Sequence, residues 1–141
     1  MLQVYPVILT KDGNQLIAEF PDVPEAMTIG SKKDDTLAWA QDALVVALSG
    51  YLDEKRAIPK PSRVKAGQKT VSLPPLIASK LAIYQAMREQ GITQAMLAKK
   101  LRCDARHIRR LLDLDRHSRL DLIDDALHVL GKKLVIDIQA A

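Results

Sequence analysis

The segment CDARHIRRLLD places Arg106, Arg109 and Arg110 three and four residues apart. On a helix they share the side opposite Ile108 and Leu111. Guanidinium groups presented this way suit anions. On a helix lying in a DNA major groove they would pair with guanine edges or hold phosphates. Thr93 and Gln94, at the start of the preceding predicted helix, offer polar side chains and free N–H groups to phosphate. His107, His117, Ser118 and Arg119 are further phosphate candidates. Other constellations carry less. Cys103 and His107 are four apart, but no second Cys/His pair follows at zinc spacing. Glu19, Asp22 and Glu25 flank prolines in a loop, with no His or Lys placed as acid or base. There is no glycine-rich phosphate loop and no nucleophile elbow. No enzyme, metal site or cofactor is expected.

Such arginines need a scaffold. Two helices meeting at a steep angle require a small residue at their contact and apolar residues at fixed offsets. Leu97, Ala98, Leu101, Cys103, Ile108 and Leu111 supply these, with Ala98 as the small residue and Cys103 in the apolar slot of the turn. Thr93 suits the N-cap of the first helix and Asp104 that of the second. The turn residue, where glycine is usual, is Arg102. The pattern predicts a helix-turn-helix. Around it, PLIASKLAIYQAMREQG reads as a helix closed by Gly91, and residues 119–131 as another closed by Gly131. KKLVIDIQ (132–139) reads as a terminal strand. An unpaired strand edge is a liability, and the same strand of a second copy is its easiest partner, so a homodimer is expected, or a tetramer built from such dimers.

The preceding residues differ in kind. VYPVILT and LIAEF, joined through Asp12-Gly13, read as a β-hairpin. AMTIG (26–30) reads as a third strand and residues 34–52 as a helix. Its expected core stripe is Leu37, Ala40, Leu44, Ala47, Leu48 and Tyr51. Trp39, Ala43 and Val46 fall on nearly the opposite face, beside Asp35 and Asp42. That face is either a contact surface, for which tryptophan is well suited, or is covered by a sheet or loop. Residues 56–69 read as a basic, proline-containing linker and TVSLP (70–74) as a last strand. The expected fold class is α+β: a small sheet domain over 1–73, then a helical domain over 74–141 ending in a strand.

Charge shifts along the chain. Residues 1–60 carry six Lys/Arg and nine Asp/Glu, whereas residues 88–119 carry nine Lys/Arg and four Asp/Glu. An acidic front and a basic third quarter suit different partners. The single cysteine excludes an internal disulfide, and the N-terminus has no basic and apolar leader pattern. No apolar run reaches membrane-span length, so a cytoplasmic protein without a membrane partner is expected.

The hairpin, FPDVPEAMTIG, the helix containing AQDALVVAL and then IPKPS together resemble the HicB antitoxin family. SLPPLIASKLAIYQAMREQGITQAMLAKKL and RLLDLDRHSRLDLIDDALHVLGKKL resemble the form of that family with a C-terminal helix-turn-helix. The resemblance covers essentially the whole chain, and the lead-in SKKDDT departs slightly from the pattern. It implies a degenerate RNase H-like first domain that binds a HicA-like toxin, a small basic mRNA-cleaving protein. It also implies a second domain that binds and represses the antitoxin's own operator. Trp39, Ala43, Val46, Asp35 and Asp42 are the expected toxin contacts, and Thr93, Gln94, Arg106, His107, Arg109, Arg110, His117 and Arg119 the expected DNA contacts. The alternative is a stand-alone regulator whose first domain senses a ligand or oligomerises. A residual nuclease using Glu19 or Asp22 with a divalent metal is the least favoured.

Overall fold

The computed structural model describes residues 3–141, which form two compact units divided between Ala78 and Ser79. In the first unit, β1 (Val4–Asp12), β2 (Gln15–Glu19), β3 (Met27–Gly30) and β4 (Lys69–Ser72) make an antiparallel sheet of order β3-β2-β1-β4. The β1–β2 turn rests on Gly13, whose φ of 61° is cheap only without a Cβ. The long β1 is shared. Val4–Val7 pair with β4 and Ile8–Asp12 with β2. Pro6, with no N–H to give a ladder, therefore sits in the half that β2 does not reach.

Helix α1 (Lys33–Asp53) buries Thr36, Ala40, Leu44, Leu48 and Tyr51. Tyr5, Val7, Ala18, Phe20 and Val71 are buried in the same unit. The expected core stripe is corrected at two places: Leu37 and Ala47 are not fully buried, and Thr36 is buried instead. Thr36 tolerates burial because its hydroxyl donates to the Lys32 carbonyl, 2.6 Å away. It also explains Gly30. A Cβ there would collide with Thr36 Oγ1 and lie 3.2 Å from the Thr36 Cα. Gly30→Ala is expected to destabilise the first unit by about 1–3 kcal/mol, read as a lowered denaturant midpoint.

The second unit is helical. Helix α2 (Pro75–Gln90) leads into it, followed by α3 (Gln94–Leu101), α4 (Ala105–Leu111) and α5 (Leu120–Val129). Within it, α2 buries Lys80, Leu81, Ile83, Tyr84, Ala86 and Met87, a face somewhat over half of its circumference, and leaves Ala82, Arg88 and Glu89 exposed. Leu97, Ile108, Leu111, Ile123, Ala126 and Leu127 are buried in the other helices. Gly91 and Gly131 take φ of 65° and 73° where α2 and α5 stop.

The expected terminal strand is not formed. Residues 132–141 adopt no regular structure, with Val135, Ile136 and Ile138 exposed at 75%, 64% and 90%. A strand exists only through a neighbour's N–H and C=O groups, and no strand of the second unit is available to supply them.

Candidate nucleic-acid and protein interfaces

In the second unit, α3 and α4 are joined by Arg102–Asp104. Thr93 caps α3, its hydroxyl oxygen accepting the Met96 N–H at 3.1 Å. Arg102 ends α3 in the left-handed region, at φ 53° and ψ 44°. The arginine thus takes the backbone conformation that glycine usually supplies, a cost the surrounding turn absorbs. Its N–H and that of Cys103 bond the Lys99 and Ala98 carbonyls. Cys103 is half-buried, and burial pushes its thiol pKa up, so it is no ready nucleophile.

Asp104 caps α4. Its Oδ1 accepts the N–H groups of Arg106 and His107 at 2.9 and 3.2 Å and lies 3.0 Å from His107 Nδ1. The hydrogen bonds from His107, side chain first and backbone second, hold the Asp104 carboxyl at a pKa of about 2. A depressed folded-state pKa means stability that is present above the unfolded value and is lost as pH falls from about 4 to about 2. The difference in melting temperature between wild type and Asp104→Asn is expected to vanish over that window, read by circular dichroism.

Arg106, Arg109 and Arg110 are all exposed, at the three- and four-residue spacing that shares one helical side, with Ile108 and Leu111 buried behind them. Arg106 lies 3.5 Å from Asp104 Oδ2. Arg109 and Arg110 form no ion pair among the described residues. His117 and Arg119 stand after α4, in the connection to α5, where Arg119 is exposed and lies 3.6 Å from Asp121. Exposed pairs of this kind hold their partners weakly and leave the guanidinium groups available. Thr93 and Gln94 are exposed at the start of α3.

Two features were not foreseen from the sequence. Lys99, Lys100 and Arg102 are exposed and add to the positive charge of the unit. Lys80 is fully buried, and its ammonium donates to the carbonyls of Arg110, Asp113 and Arg116 at 2.8, 2.7 and 2.6 Å. Burial lowers its pKa, and the Asp113 carboxylate opposes that shift. The available signal was its position: Lys80, Tyr84 and Met87 fall on one apolar stripe.

The first unit carries a different surface. Trp39 and Val46 are exposed at 48% and 71%, beside Ala43 and the acidic residues Asp35 and Asp42. A shallow groove of about 450 Å3 runs beside Ala43, Val46 and Ala47, with Met27 of the edge strand β3 on its other flank. Trp39, Asp35 and Asp42 do not line it. At its end the Tyr51 hydroxyl donates to the Glu25 carboxylate at 2.7 Å, and the Arg56 guanidinium sits 4.0 Å from the Tyr51 ring centroid. The Tyr51 hydrogen bond lowers the Glu25 pKa. Asp22 accepts the Ser62 N–H and hydroxyl at 2.8 and 3.0 Å and anchors that loop. Neither carboxylate is placed for metal chemistry, and no group of His, Cys, Asp and Glu suited to a metal ion occurs among the described residues.

A family model described as HicB_like antitoxin of bacterial toxin-antitoxin system matches residues 4–82. The chain belongs to this HicB-like antitoxin family. The family is not a catalytic one. "Antitoxin HicB 2" of Photorhabdus laumondii subsp. laumondii is 38% identical over 130 residues, 92% of each chain. "Antitoxin HicB" of Escherichia coli strain K12 is 33% identical over 132 residues, 92% of this chain and 95% of that one. A chain of the solved "HicA3 and HicB3 toxin-antitoxin complex" is similar at 21% identity and a TM-score of 0.42, over 51% of this chain and 99% of that chain. Among the described residues of this HicB-like chain, no helix is long and apolar enough to cross a membrane.

Proposed function

We propose that this antitoxin neutralises a HicA-like mRNA-cleaving toxin through its first unit and represses its own operon through its second. The observation that carries the reading is the separation of two unlike surfaces onto two compact units. One has an exposed Trp39–Val46 face beside Asp35 and Asp42, within the net acidic residues 1–60, the other an arginine-bearing α4 within the net basic residues 88–119. The acidic segment suits a basic toxin, whose approach it would steer. The antiparallel β1–β2–β3 order followed by α1 supports reading the first unit as the degenerate RNase H-like fold.

In the second unit, α3, the turn and α4 act as a helix-turn-helix. Helix α4 enters the major groove with Arg106, Arg109 and Arg110, while Thr93, Gln94, His107, His117 and Arg119 meet the backbone. The exposed β-branched tail pairs with the same segment of a second copy, giving a homodimer that reads an inverted repeat. Deleting residues 132–141 is expected to yield a monomer in light scattering and to weaken operator binding together with it. A truncated chain that stays dimeric with full affinity would sink strand pairing.

The test is co-expression of the tagged chain with the product of the small reading frame beside its gene. The expected result is a stable complex, a partner toxic on its own, and a chain that binds its own promoter. A chain that binds its promoter but captures no partner would be a stand-alone repressor.

A further inference from the structure

Lys80 is the only charged side chain among the described residues that is buried. Its three N–H donors match three backbone carbonyls, leaving none of them unpaired. Two of those carbonyls belong to Arg110 and Arg116, residues that are themselves exposed. The same residues are thus held inside by their backbone and present guanidinium groups outside. The Arg110 carbonyl lies in the last turn of α4, a helix of seven residues, too short to be rigid unaided. Its two ends are pinned by charges of opposite sign, each matched to the helix end it meets. The Asp104 carboxylate receives N–H groups at the start, and the Lys80 ammonium gives protons to carbonyls at the finish.

We propose that Lys80 is the positioning residue of the DNA-contact surface: its ammonium sets the pose of α4 and of the Asp113–Arg116 turn, and with them the outward arginines. The proposal rests on reading that surface as a DNA interface. A compact ammonium with three rotatable donors fits converging carbonyls, whereas the planar fork of arginine does not. An apolar isostere keeps the packing and loses the donors. The Arg110 and Asp113 carbonyls would retain the N–H groups of Asp113 and Arg116, so the helix would persist while the turn loosened.

The experiment compares full-length wild type, Lys80→Met and Lys80→Ala by amide hydrogen exchange and by affinity for a duplex carrying the chain's own promoter. In Lys80→Met, exchange at the amides of residues 112–116 is expected to rise about tenfold, while α3 changes less than about threefold. Promoter affinity is expected to fall about tenfold as well. Lys80→Ala should regain both with propylammonium, which restores the missing atoms, and not with propanol. Unchanged exchange and affinity in Lys80→Met would overturn the proposal, as would rescue by propanol equal to that by propylammonium. Should Lys80→Met lose the fold of the second unit, Lys80→Ala decides by the same contrast, read as refolding. Wild type that ignores promoter DNA would sink the interface reading, while the exchange data still test the ammonium's hold on α4.

Discussion

Replacing Arg106, Arg109 and Arg110 together by glutamine is expected to lower affinity for the chain's own promoter roughly 100-fold or more, from about 1–3 kcal/mol per base contact. Any of the three that meets phosphate rather than a base also releases counterions. The slope of log affinity against log salt should then flatten by roughly one unit for each phosphate no longer neutralised. The fold should survive, because all three side chains are exposed while Ile108 and Leu111 hold α4 in place. Melting temperature and toxin capture should be unchanged. The single variants divide the labour. A base contact shows as relaxed specificity at one operator position, a phosphate contact as uniform weakening. Arg106, paired with Asp104 at 3.5 Å, is expected to give the smallest single effect, because part of its interaction energy is already spent within the chain. A triple variant with wild-type affinity and salt slope would leave α4 as a solvated helix.

The second large effect concerns the other unit. Val46→Asp is expected to weaken the toxin complex by roughly 100-fold or more, since an unpaired carboxylate would be trapped against an apolar contact. Trp39→Ala is expected to cost about 2 kcal/mol, roughly 30-fold in dissociation constant, if that ring anchors the interface. Neither change should unfold the unit. Val46 is 71% exposed, and surface substitutions of this kind usually lie within about 0.5 kcal/mol. Isothermal titration calorimetry with a catalytically dead toxin reads both, and promoter binding should not move. Toxin affinity that ignores Val46→Asp would shift the interface away from the α1 face, to the sheet surface where Val4 and Ile8 are exposed. The groove makes the first outcome the expected one, because Val46 lines it and a carboxylate there would face any apolar partner side chain that enters.

The amino-acid sequence by itself determined the elements that depend on near neighbours. Asp12-Gly13 dictated a hairpin because a tight turn needs a residue at positive φ, and Gly13 has it. Thr93 and Asp104 marked helix starts because a side-chain oxygen can reach an N–H group two or three residues on; Thr93 reaches that of Met96, and Asp104 those of Arg106 and His107. The arginine spacing on α4 and the core positions Leu97, Ile108 and Leu111 followed from the helical repeat alone. Tertiary structure decided what depends on distant backbone. Thr36 displaced Leu37 and Ala47 from the fully buried stripe because β3 brings Gly30 against it and its hydroxyl has a local acceptor. Residues 132–139 have strand composition, yet a strand needs a second backbone, which composition cannot supply. Lys80 looks like a surface lysine in the string of letters. Only the convergence of three carbonyls from residues 30 to 36 positions away makes an ammonium fit there.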